Sequence, residues 1–168
     1  ARDPWIPRVI GNQSIIEIPP GGHAVLDGPT GSGKTALAVN FLAAHARGNG
    51  PAIYISLELT PDTIAARAIG VAAGVAWDRV LRGAVGREEM LSAIPERLAI
   101  VGGAALEMMT EIQVARETWI GLPLLICIDY IQLAAIGEDM RSGVAQRIEA
   151  IRVIAERERV AILVVSQP

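Results

Sequence analysis

The chain has 168 residues, which is room for about one domain at roughly 100 to 200 residues each, and its 51% hydrophobic against 20% charged residues exclude a disordered polymer. Fifteen Lys and Arg against eighteen Asp and Glu leave a formal charge of −3, which argues against a free-standing electrostatic nucleic-acid binder, so any such contact is local or shared between subunits. The single Cys127 excludes an internal disulfide; with no apolar run of roughly 18 residues and no signal-peptide pattern at Ala-Arg-Asp-Pro-Trp, the expected location is cytoplasmic, with no membrane partner.

In chain order the patterns alternate between strand and helix, which predicts an α/β fold with a mostly parallel sheet covered by helices. Residues 1–21 read as an irregular lead-in punctuated by Pro4, Pro7, Pro19 and Pro20, and residues 22–168 as the folded core. Ala24 to Asp27 is a short buried strand. A helix from about Lys34 to Ala46 carries Leu37, Phe41 and Ala44 on one face and stops at Gly48-Asn49-Gly50-Pro51. Ala52 to Leu57 is a second strand ending at Glu58. Thr60 then suits an N-cap, Pro61 the first helical position and Asp62 the positive end of the dipole, for a helix running to about Ala73. Short helical pieces fill 75–95, a strand covers Leu98 to Val101, and a helix spans about Thr110 to Trp119. Leu124 to Ile128 is apolar on both faces, as a central parallel strand should be, and ends at Asp129. After a loop at 137–143, Val144, Ile148, Ile151 and Ala155 recur at helical spacing, and Val160 to Val165 forms a last strand ending at Ser166-Gln167.

The strongest signal lies between the first of these strands and its helix. Gly28-Pro29-Thr30-Gly31-Ser32-Gly33-Lys34-Thr35 fits G-x-x-x-x-G-K-S/T at every fixed position. Wrapping a triphosphate in backbone N–H groups requires glycines, both to turn tightly and to keep Cβ atoms off the phosphates, and the following helix aims its positive end at the same place. Lys34 is expected to reach the β- and γ-phosphates of ATP, and the Thr35 hydroxyl to ligate Mg²⁺. The basic residues are fourteen Arg and one Lys, so Lys34 is the only ammonium side chain in a sequence that uses Arg everywhere else.

Ligands of a parallel sheet sit beyond the carboxyl ends of its strands, so Glu58, Asp129 and Gln167 are candidates to converge on that loop. Asp129 fits the Walker B aspartate, which holds magnesium through its water shell. Hydrolysis also needs a group to orient and polarise water. Asp129 is followed by Tyr130, which is no carboxylate base, and this moves the duty to Glu58. Gln167 is the candidate sensor of the γ-phosphate, by hydrogen bonding.

These residues resemble the ATPase domain of the DnaB-type hexameric replicative helicases, within the RecA-like P-loop superfamily. Besides the phosphate loop, Tyr54-Ile55-Ser56-Leu57-Glu58-Leu59 is similar to that family's strand ending in a catalytic glutamate, and Arg67 falls where a helix arginine follows. Leu81-Arg82-Gly83, Ile128-Asp129-Tyr130-Ile131-Gln132-Leu133 and Val164-Val165-Ser166-Gln167 extend the likeness over roughly 22–168. The resemblance implies a RecA-like P-loop NTPase fold with helices on both faces of a twisted sheet. It also implies ATP hydrolysis coupled to translocation on single-stranded DNA in a homo-hexameric ring, with a primase or loader as possible partner. The family's helical primase-binding domain, arginine finger and DNA-gripping loops have no counterpart in these residues, so the expectation is a core incomplete at its C-terminus.

Two other readings stay open: a recombination or clock-type RecA relative, and a non-catalytic ATP-binding helicase partner. His23 and His45 lack partners at metal-ligand spacing, Cys127 reads as a small buried hydrophobe, and Trp5, Trp77 and Trp119 read as packing.

Overall fold

The computed structural model describes residues 8–10, 13–14, 18–102, 108–129 and 144–166. Where an irregular lead-in is expected, two short strands, β1 (Arg8–Ile10) and β2 (Gln13–Ser14), pair antiparallel. The main sheet consists of β3 (His23–Asp27), β4 (Ala52–Ser56), β5 (Leu98–Gly102), β6 (Leu125–Asp129) and β7 (Ala161–Ser166). Its order is β3-β7-β6-β4-β5 and every pairing is parallel. The runs that are apolar at nearly every position, β4, β6 and β7, take the three inner places and are buried throughout, because inner strands must match helices on both sides.

One face of the sheet, built from Ala52, Tyr54, Leu125, Cys127, Leu163 and Val165, packs on α1 (Lys34–Gly48) and α2 (Pro61–Ala73). The opposite face, with Ile53, Ile55, Ile126, Ile128, Ile162 and Val164, packs on α5 (Met108–Thr118) and α6 (Val144–Glu158). Between α2 and β5 lie α3 (Trp77–Leu81) and α4 (Arg87–Ala93), which close a smaller cluster of Ala66, Ile69, Val80, Val85 and Ala93. Among the described residues no helix is long and apolar enough to cross a membrane.

The ends of α2 follow local chemistry closely. Thr60 caps its start by accepting from the Thr63 N–H, Pro61 opens it, Asp62 sits in its first turn, and Gly74 ends it with a left-handed φ of 66°. The buried face of α1 departs from the expected one. Ala38, Val39, Phe41, Leu42 and Ala46 are buried while Leu37 and Ala44 are only partly covered, because an alanine-rich helix is apolar nearly all round and its period does not single out a face. Near its C-terminal end the buried His45 meets the Pro123 carbonyl, Nε2 to oxygen 3.0 Å; burial lowers the ring's pKa, so the neutral imidazole donates this bond. The chain crosses close by at Gly50, where a Cβ would stand 2.2 Å from the same carbonyl oxygen. These contacts pin the end of α1 to the segment entering β6, and so set the phosphate loop at the start of α1 beside the far end of β6.

Candidate functional site

The loop between β3 and α1 turns through Gly31 and Gly33, whose φ angles of 81° and 90° lie in the left-handed region that L side chains resist. Gly33 also caps α1 without a side-chain hydrogen bond, which leaves the first-turn N–H groups for an anion. Lys34 is 7% exposed, and its Nζ donates to the carbonyl oxygens of Gly28 at 2.5 Å and Pro29 at 2.8 Å. Two loop residues thus serve the site through their backbone oxygens. The Ser32 N–H closes the turn on Pro29 O at 3.2 Å.

Asp129 ends β6 on the face that carries α1 and is 4% exposed. Its Oδ2 accepts from Thr35 Oγ1 at 2.8 Å and from the Tyr54 hydroxyl. Tyr54 reaches it because β4 and β6 are in register, Tyr54 opposite Cys127 and Ser56 opposite Asp129. Burial, aided by the negative charge of the neighbouring Asp129, pushes the Tyr54 phenol far above its ordinary pKa, so it remains a donor. Burial holds the Cys127 thiol protonated in the same way, consistent with a small hydrophobe that takes no part in chemistry.

At the end of β4 the Ser56 hydroxyl donates to Leu59 O at 2.6 Å and accepts from Leu59 N at 3.2 Å. The Leu57 N–H bonds Asp129 O at 2.7 Å. Between these two ties the strand turns sharply and presents Glu58, an exposed carboxylate. A cleft of about 310 Å³ results, lined by Thr30, Gly31, Gly33, Lys34, Thr35, Ala36, Glu58, Leu59, Arg67 and Asp129. Glu58 and Asp129 thus line one cleft with the loop of residues 28–35, the convergence that the strand ends predict. Gln167 lies outside the described residues, as do Tyr130 and the loop at 137–143.

Tyr54 and Ser56 were absent from the sequence-derived candidates. Period-2 alternation on β4 places both on one face with the strand's end, but only the pairing with β6 shows what they meet. Tyr54→Phe keeps the buried ring and removes one donor from a carboxylate. We expect it to lower the unfolding free energy by about 1.5–3 kcal/mol, the range for hydrogen bonds to charged groups. Urea denaturation measures this directly, and an unmoved midpoint would mean that the hydroxyl adds nothing to the fold.

Solved structures share this architecture. A DnaB-like replicative helicase, described together with its interactions with primase, superposes with a TM-score of 0.77 at 17% identity, over 89% of this chain and 40% of that one. An ATPase domain of a second protein superposes with a TM-score of 0.74 at 16% identity, over 89% of this chain and 58% of that one. The chain thus spans less than two thirds of either structure, and at these identities what is shared is the fold. No curated protein matches the sequence. A family model described as an AAA domain matches residues 16–168, a stretch that takes in the whole parallel sheet and every residue lining the cleft, and the chain belongs to that family.

Proposed function

We propose that this chain is the ATP-hydrolysing motor core of a replicative-type DNA helicase, which in a ring of identical subunits couples hydrolysis to movement on single-stranded DNA. The observation that carries the reading is the meeting of Lys34, Thr35, Glu58 and Asp129 in one cleft at the carboxyl end of the sheet. The N–H groups of the loop and of the first turn of α1 receive the phosphates, and Lys34 exchanges its bonds to Gly28 and Pro29 for the β- and γ-phosphate oxygens. Glu58 orients the attacking water and takes its proton.

The Thr35 hydroxyl and the Asp129 carboxylate, already 2.8 Å apart, are hard oxygen donors that suit a magnesium ion arriving with the phosphates, since this ion takes one or two protein oxygens and keeps its waters. When bound, the ion neutralises charge on the phosphate oxygens. Tyr54 steadies the Asp129 carboxylate from within the sheet. Gln167 serves as γ-phosphate sensor in this reading, and contact with a primase or loader belongs to the complete ring. The fold shared with a DnaB-like helicase and the quoted motifs support it.

A monomer has no neighbour to supply an arginine finger, a group worth roughly 10³ to 10⁵ in rate. Isolated monomers are therefore expected to hydrolyse ATP slowly. The test separates monomeric from ring fractions and measures phosphate release per subunit, with and without single-stranded DNA. Rapid, DNA-independent turnover by the monomer overturns the motor reading.

A further inference from the structure

Beside the phosphate cleft lies a second cavity of about 360 Å³, lined by Ala36, Arg67, Gly70, Val71, Val75, Ala76 and Trp77. Ala36 and Arg67 line both cavities, and Ala36 follows Thr35 directly, so the second space continues the first along the opening turn of α1. We propose that it receives the base of the nucleotide whose phosphates are held at residues 28–35. The proposal rests on the nucleotide-binding reading above and adds the place where the other end of the ligand goes.

A nucleotide is polar at its phosphates and planar and largely apolar at its base. The two cavities present matching surfaces in that order: glycine N–H groups, a lysine and carboxylates first, then a mostly aliphatic wall with an indole. The second volume falls in the range of small-molecule sites, roughly 300–1,000 Å³.

The turn that brings the indole there is built for it. Val75 N–H bonds Gly70 O at 2.8 Å, and a Cβ on Gly70 would stand 2.5 Å from Val75 O and 3.3 Å from the Trp77 backbone, so only glycine lets α3 fold back so closely on α2. Trp77 is left 41% exposed, with the Arg67 guanidinium carbon 5.3 Å from its ring centroid. In this arrangement the Arg67 Nε is buried without a hydrogen-bond partner, an unfavourable state for a charged donor.

Arg67 therefore occupies the indole without being satisfied there. A base stacking on Trp77 takes over the ring, and the released guanidinium turns to the neighbouring cleft, where phosphate oxygens supply the missing acceptor. Because the wall offers few polar groups, the base is recognised by stacking and apolar contact, and discrimination between purines is weak.

Calorimetric titration of the folded chain with ATP and with inorganic tripolyphosphate, in the parent, Trp77→Ala and Trp77→Phe, tests this. Base–aromatic stacking corresponds to roughly a 5- to 100-fold affinity loss on truncation. Trp77→Ala is expected to weaken ATP by that factor without weakening tripolyphosphate, with Trp77→Phe restoring most of the loss. Unchanged ATP affinity in Trp77→Ala, or an equal loss for ATP and tripolyphosphate, overturns the base site while the phosphate loop stands. Failure of the parent chain to bind either ligand overturns the nucleotide reading and the base site with it.

Discussion

Replacing Glu58 with Gln is expected to leave ATP binding essentially intact and to lower hydrolysis by about 10²- to 10⁴-fold, the span usual for loss of a positioned general base. The amide matches the carboxylate in shape and still hydrogen-bonds water, but it does not accept the proton. Asp129 is a poor substitute, since its Oδ2 is already engaged by Thr35 and Tyr54. The next residue, Tyr130, brings no carboxylate. Glu58 is exposed at the turn beyond β4, so the exchange costs stability no more than about 0.5 kcal/mol and a drop in rate is not a folding effect. Fluorescent-nucleotide titration and single-turnover phosphate release separate the two quantities. Undiminished hydrolysis in this variant assigns the water-activating duty elsewhere. Should the parent itself bind ATP without hydrolysing it even in a ring, the chain is a nucleotide-switched module.

What was legible in the sequence is what local chemistry determines. The strand and helix order follows from apolar runs and their punctuation, and the start of α2 from Thr60, Pro61 and Asp62 alone. The phosphate loop was legible because glycines at fixed spacing have few other uses. Glu58 and Asp129 were legible because each interrupts an apolar strand with a carboxylate. The antiparallel ribbon of β1 and β2 was not, since strands of 3 and 2 residues are too short to establish a period. Nor was the role of Tyr54, which depends on β4 lying next to β6, two strands whose paired residues, such as Ala52 and Leu125, stand 73 positions apart in the sequence. Trp77 reads as packing from sequence. Its indole is in fact partly exposed beside an arginine, and the cause is the Gly70 contact that folds α3 back on α2. In each case the missing information is a tertiary pairing, which no window along the chain contains.

The second large effect is expected at Lys34. Lys34→Ala should weaken ATP by roughly 100-fold or more, comparable to truncating one member of a buried, hydrogen-bonded charge pair. The ammonium is 7% exposed and held 2.5 and 2.8 Å from the loop's own carbonyls, so it is already positioned and desolvated before any phosphate arrives. Lys34→Arg should do little better. A planar guanidinium presents its donors in a rigid fork and is bulkier than an ammonium, and it does not fit between the Gly28 and Pro29 carbonyls as a compact point charge does. Because Lys34 is the only lysine in the chain, an amine-directed label followed by mass spectrometry reads its environment with no other side chain competing. ATP should protect it from acetylation in the parent chain, and the protection should persist in Glu58→Gln, where the phosphates still bind. Labelling at Lys34 that proceeds at the same rate with and without saturating ATP would place the phosphates elsewhere and remove the basis for reading this cleft as a nucleotide site.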